Sequence, residues 1–183
     1  MLPIFIAGCA ILFILTIFFV WWIGTSNNFK RKKIKIEEAL SGIEVALTNR
    51  FDKLTKLLDV AKGFAKHEQE TFSQVISMRK GMNIGELNQC CSQMDTVAAR
   101  INAVAEAYPE LRSAETFTEL QSAIRTAEQH LQAARRLYNS NVTLYNTAIA
   151  VFPTSIVAGA MNLQNAEFFV ADEAKKADVQ MNF

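Results

Sequence analysis

From Ile4 to Ile23 the chain carries an unbroken apolar run, and the first charged side chain anywhere is Lys30. Twenty residues rising about 1.5 Å each reach ~30 Å, the thickness of a bilayer's hydrocarbon core. Backbone that crosses lipid must pair its own N–H and C=O groups, so this run is expected to be helix. Lys30-Arg31-Lys32-Lys33 follows, with Lys35 close behind. Cations beside a membrane span are retained on the cytoplasmic side and drawn to anionic lipid at ~1 kcal/mol each. No Lys or Arg precedes the run, so the charge bias predicts the N-terminus outside and the rest of the chain in the cytosol. A cleaved signal peptide fits poorly, because the basic lead is missing and Ile23-Gly24-Thr25 is a poor cleavage site. Ile6-Ala7-Gly8-Cys9 resembles a lipoprotein box, but the apolar run continues well past Cys9.

Beyond the anchor, residues 1–27 with the span at about 4–23, enough chain remains for one domain with a real core. The formal charge of +1 argues against a nucleic-acid binder, since the cations at 30–35 are offset by later acids. Cys9 lies in the span, and the adjacent Cys90 and Cys91 are poorly placed for an ordinary disulfide. An odd count of this kind agrees with a reducing cytosol rather than a secreted disulfide framework.

Helical period dominates the rest. The stripes run Ile36, Ala39, Leu40, Ile43, Leu47, then Leu54, Leu57, Leu58, Ala61, Phe64, Phe72, Val75, Ile76 after an interruption at Thr48-Asn49-Arg50. Gly81 to Gly85 breaks the pattern; a third stripe from Leu87 to Ala105 ends at Tyr108-Pro109. Ser113 is placed as the N-cap of the longest helix, whose stripe runs from Phe117 through Leu131 and Tyr138 to Phe152, before Pro153. The fold class expected is all-α: an N-terminal transmembrane helix, then an antiparallel four-helix bundle over 28–153. The break near Asn49 is the softest boundary, since the first two helices can also run on as one. The tail, 154–183, is expected to dock on the bundle or at the membrane interface.

Motifs for chemistry are sparse. His67-Glu68 lacks the second His four residues on that a zinc helix needs, and His130 has no Glu three residues before it. Neither a Gly-x-Ser-x-Gly turn nor a phosphate-binding glycine loop occurs. No enzyme, cofactor or metal is expected. The informative polar residues sit beside the core stripes: Glu128, Arg135, Asn139 and Asn146 form one row at spacings of seven, four and seven. Arg50 and Asp52 lie at the Asn49 junction, and Glu68 falls on the apolar stripe between Phe64 and Phe72. A buried carboxylate there needs partners, so this set reads as an inter-helix polar network or a partner-recognition row.

Arg50-Phe51-Asp52 with Lys62-Gly63-Phe64-Ala65-Lys66-His67-Glu68, Glu106-Ala107-Tyr108-Pro109-Glu110-Leu111, and Ala133-Ala134-Arg135-Arg136-Leu137-Tyr138-Asn139 with Phe152-Pro153 resemble the LemA family. The likeness spans nearly the whole chain. It departs from the family pattern at Thr55-Lys56, where Pro-Asn is usual, and in the stronger basic run at 30–33. The resemblance implies an antiparallel four-helix bundle anchored in the bacterial cytoplasmic (inner) membrane, without established catalytic residues. It also implies an association of some members with HtpX-type membrane metalloproteases, and of one branch with magnetosome membranes.

The expected role is a single-pass, non-enzymatic scaffold or adaptor. The basic residues Lys30, Arg31, Lys32, Lys33 and Lys35 lie at the lipid surface, and the bundle meets membrane or cytosolic proteins or a second copy of itself. The alternative is an accessory that brings substrates to a membrane metalloprotease.

Overall fold

The computed structural model describes residues 2–64 and 82–169. Those residues are predominantly helical with no strand among them: a long apolar N-terminal helix is followed by a helical bundle. The helices are α1 (Leu2–Phe64), α2 (Ile84–Ala107), the short α3 (Pro109–Ser113), α4 (Glu115–Ala150) and α5 (Thr154–Ala160). The second stripe beyond Phe64, including Phe72, Val75 and Ile76, lies outside the described residues, as does Glu68.

No break occurs at Asn49; α1 passes straight through it. The buried positions Ala39, Ile43, Leu47, Leu54, Leu57 and Ala61 leave one gap, and Arg50 fills it at 5% exposure. With Arg50 included, every step along this face is three or four residues, so the polar interruption is a core position occupied by a charge. Thr48 Oγ1 donates back to the Glu44 carbonyl and Lys53 Nζ donates to Asn49 Oδ1, so the junction is satisfied without leaving the helix.

The starts of α2 and α4 fall differently from expectation. Asn83 caps α2 through a reciprocal pair: its Oδ1 accepts from the Glu86 N–H at 2.9 Å, and Glu86 Oε2 accepts from the Asn83 N–H at 2.8 Å. Ser113 does not cap α4. It closes α3, with its Oγ donating to the Glu110 carbonyl, because Pro109 nucleates an extra turn that uses the residue up.

The described residues divide into two compact units. One contains residues up to 38 together with 140–167; the other contains 39–139 with Phe168 and Phe169. In the first unit, Phe5 to Val20 is uncharged, almost wholly apolar and exposed, with Phe5 at 73%, Phe13 at 66% and Phe19 at 65%. Burial begins at Thr25 and Phe29. The Phe29 ring meets Tyr145 edge-on at 6.3 Å, and Asn141 Nδ2 donates to the Lys35 carbonyl at 3.2 Å. Those two contacts set α4 antiparallel to α1 within this unit. After α4 the chain turns through Val151–Pro153 into α5, which buries Val157 and Ala158. Asn162, at φ 51°, ends α5 in the left-handed conformation. Its N–H donates to the Gly159 carbonyl and that of Leu163 to the Ala158 carbonyl, the paired bonds of a Schellman cap with Asn in glycine's place.

In the second unit, Arg50 meets Asp95 and Glu128, while Leu57 shares a cavity with Ala98, Asn102 and Gln121. From this register α1 and α2 run in the same direction and α4 runs against both. Leu87, Met94, Ile101, Leu111, Phe117 and Leu131 fill the space between them, each at most 1% exposed. Burying such side chains stabilises by roughly 1.5–3 kcal/mol apiece.

Candidate functional site

The polar residues singled out in the sequence separate into three groups. Arg50, Glu128, Arg135 and Asn139 come together in the second unit, Asn146 belongs to the first, and Asp52 points to solvent. The centre of the second-unit group is Arg50. Its Nη2 binds Asp95 Oδ1, and its Nε lies 3.1 Å from Glu128 Oε2, an ion pair misaligned for a hydrogen bond. Arg50 is buried because two carboxylates from two other helices meet its guanidinium, one at Nη2 and one at Nε. Gln132 Nε2 donates to the other Glu128 oxygen at 2.7 Å, which holds that carboxylate in place.

One turn along α4 from Gln132, the Arg135 guanidinium lies over the Phe169 ring, 4.9 Å from its centroid. Burial pushes the Cys91 thiol up, with Arg135 and Arg50 pulling it partly back and Asp95 adding to the rise. Burial also pushes the Cys90 thiol up, aided by Cys91 and opposed by Arg50. A nucleophilic cysteine needs a lowered pKa and access. Both residues are buried, so they are packing residues with disfavoured thiolates.

The two asparagines act alike. Asn139 Nδ2 donates to the Phe169 carbonyl at 2.9 Å and its Oδ1 accepts from the Phe169 N–H at 2.8 Å. Asn146 does the same with the N–H and carbonyl of Ala166, at 2.8 and 2.9 Å. Each amide therefore completes both backbone groups of one residue in the non-helical stretch after α5, in the way a neighbouring β-strand would.

Sequence reasoning missed Asp95 and Gln132. Asp95 was visible as an acid four residues after Cys91 on the core-facing side of α2; Gln132 was visible as the partner one turn after Glu128. Among the described residues, no three His, Cys, Asp or Glu side chains are grouped to hold a metal ion, and His130 is exposed.

Of the basic residues, Lys30, Arg31, Lys33 and Lys35 are exposed and Lys32 is half-exposed, all on the α1 segment of the first unit. They follow, within α1, a stretch long and apolar enough to cross a membrane, which fits a membrane anchor.

The model of the LemA family matches residues 39–183. The chain belongs to the LemA family. The protein LemA of Metamycoplasma hominis is 30% identical over 174 residues, a stretch covering 91% of this chain and 80% of that protein. The magnetosome protein MamQ of Magnetospirillum gryphiswaldense is 27% identical over 70 residues, or 38% of this chain and 26% of MamQ. A magnetosome protein MamQ 2 of Paramagnetospirillum magneticum is 29% identical over an equally long stretch. For this LemA-family chain the match covers the whole second unit, Arg50, Asp95, Glu128 and Arg135 included.

Proposed function

We propose that this LemA-family chain is a single-pass, non-enzymatic scaffold held in the cytoplasmic membrane, with its N-terminus outside and its bundle in the cytosol. The observation that carries this reading is the first part of α1, which from Phe5 to Val20 has no charged residue and is exposed on every face. A helix apolar all round has no stable place in water, and lipid is the surrounding that matches it. The scaffold role is supported by how the chain spends its interior polar groups. Arg50, Glu128, Asn139 and Asn146 bind partners within the chain itself, leaving them to hold helices and tail together rather than to turn over a substrate. Confinement near lipid raises the effective concentration of any neighbour, so weak contacts suffice for assembly.

Alkaline-washed membranes test the anchor, and release of the full-length chain into the wash refutes it. Crosslinking in intact membranes then tests the role. Self-association or capture of membrane neighbours supports the scaffold, whereas joint capture of a membrane metalloprotease and its clients replaces it with the accessory reading. For orientation, cysteines introduced singly beside Lys30 in a Cys-free background should resist impermeant reagents in whole cells; labelling from outside reverses the topology.

A further inference from the structure

The five cations at 30–35 are not equivalent. Arg31, Lys32 and Lys35, with Asn28 on the same face of α1, line a cavity of about 270 Å³ whose far wall is Asn141 and Leu144 of α4. Lys30 and Lys33 are not part of its lining. All six lining residues belong to the first unit, where Phe29 against Tyr145 and Asn141 against the Lys35 carbonyl hold the two walls together.

Three formal positive charges therefore converge on one cavity whose lining contains no carboxylate. The nearest acid further along that face, Glu38, is exposed and outside the lining. Such a cluster repels itself unless an anion enters. A water occupies about 30 Å³ of liquid, so the space suits something larger, of the size of a phosphate with its ester arms. The donors suit it too: the Arg31 fork and two ammonium groups bind phosphate oxygens, and side-chain amides can complete the shell.

Depth selects the source of that phosphate. Asn28 lies five residues past Ile23, ~7–8 Å along the helix, and Lys35 lies ~18 Å along. The head-group layer extends ~5–8 Å beyond the hydrocarbon on each side, so Asn28 stands at its outer edge and the three cations reach it through their long side chains. Side chains on a helix lean toward its N-terminus, so those of Arg31, Lys32 and Lys35 lean back toward the lipid. We propose that this cavity is a site for the phosphodiester head group of one anionic phospholipid. The proposal rests on the membrane-anchor reading and adds to it a defined pocket in place of a diffuse basic surface.

The test is native mass spectrometry of the full chain in a neutral detergent, titrated with phosphatidylglycerol, with phosphatidylcholine and with inorganic phosphate. A single retained phosphatidylglycerol is expected, with phosphatidylcholine not retained and excess phosphate failing to displace the lipid. Replacing Arg31, Lys32 and Lys35 together by Gln should weaken retention about a hundredfold, roughly a factor of five per charge. Replacing Lys30 and Lys33 by Gln should change it less than about threefold. Leu144→Asp, which puts a negative charge on the α4 wall while leaving the basic run and the Asn141 contact intact, should abolish retention. Equal losses for the two Lys/Arg sets would reduce the site to diffuse attraction, displacement by phosphate at equal concentration would make it a soluble-anion site, and no retained lipid would remove it; each overturns the proposal. Failure of the anchor reading shows separately, as release of the parent chain from washed membranes.

Discussion

Replacing Arg50 by Met keeps an unbranched apolar stem and removes the guanidinium with its charge, leaving Asp95 and Glu128 facing a buried apolar group. Breaking a fully buried ion pair by deleting one partner costs ~3–5 kcal/mol. Here the Arg50 side chain is 6% exposed, but the carboxylates are 30% and 32% exposed and regain some hydration. The expected loss is therefore ~2–3 kcal/mol. For a domain of this size each kcal/mol lowers the melting temperature by ~2–4 °C, so Arg50→Met should melt ~5–10 °C below the parent. The assay is thermal unfolding of the full chain in non-ionic detergent, followed by circular dichroism. Combining Arg50→Met with Asp95→Asn and Glu128→Gln removes the stranded charges and should restore most of the loss. A single variant melting within ~1 °C of the parent, or a triple variant melting below the single one, would refute the assignment of Arg50 as a charge held by these two acids.

Leu131 is fully buried on α4, so Leu131→Asp should cost several kcal/mol and abolish cooperative melting; an unchanged transition would mean that α4 turns another face inward. Asn139→Leu should accelerate hydrogen exchange at the Phe169 amide, and Asn146→Leu at the Ala166 amide, each about tenfold or more, and exchange unchanged at both would show that the amides do not hold these residues. Both buried thiols titrate above their ordinary value of 9.0, so they should react with a disulfide reagent at neutral pH much more slowly than a free cysteine. The same shift sets a sign for stability. Unfolding lets the thiols ionise more readily, so stability is retained below pH 9.0 and falls as the pH rises through the folded-state values. Replacing both cysteines by Ala should flatten that alkaline loss, as measured by melting across the same pH range.

The fold class was legible because apolar spacing of three and four survives along α1, α2 and α4 without help from tertiary contacts. Where the reading slipped, a local signal stood for something non-local. Thr48-Asn49-Arg50 looked like a helix end because polarity inside a stripe usually marks one, yet Arg50 holds its core position through Asp95, 45 residues away. Ser113 was a sound cap by composition, but the Pro109 turn used it first. The cap that does open α2 was present in the sequence as Asn83 and Glu86 at the reciprocal spacing and went unread beside the louder glycines. The row on α4 was visible as a row. Its partners were not, since the two asparagines bind backbone 20 and 30 residues downstream, and main-chain groups leave no mark in a sequence. The division of the basic run was equally hidden, because Asn141 and Leu144 lie on another helix.

The grip of Asn139 and Asn146 is on peptide groups alone, so it fixes conformation without dictating identity. Nearly any residue can stand at 166 or 169 as far as these two latches are concerned, with proline the exception because it brings no N–H to give. Mutational drift at 166 is thereby tolerated while the path stays fixed, whereas at 169 the buried ring beneath Arg135 adds a demand of its own; loss of either amide would unfasten a segment that itself had not changed.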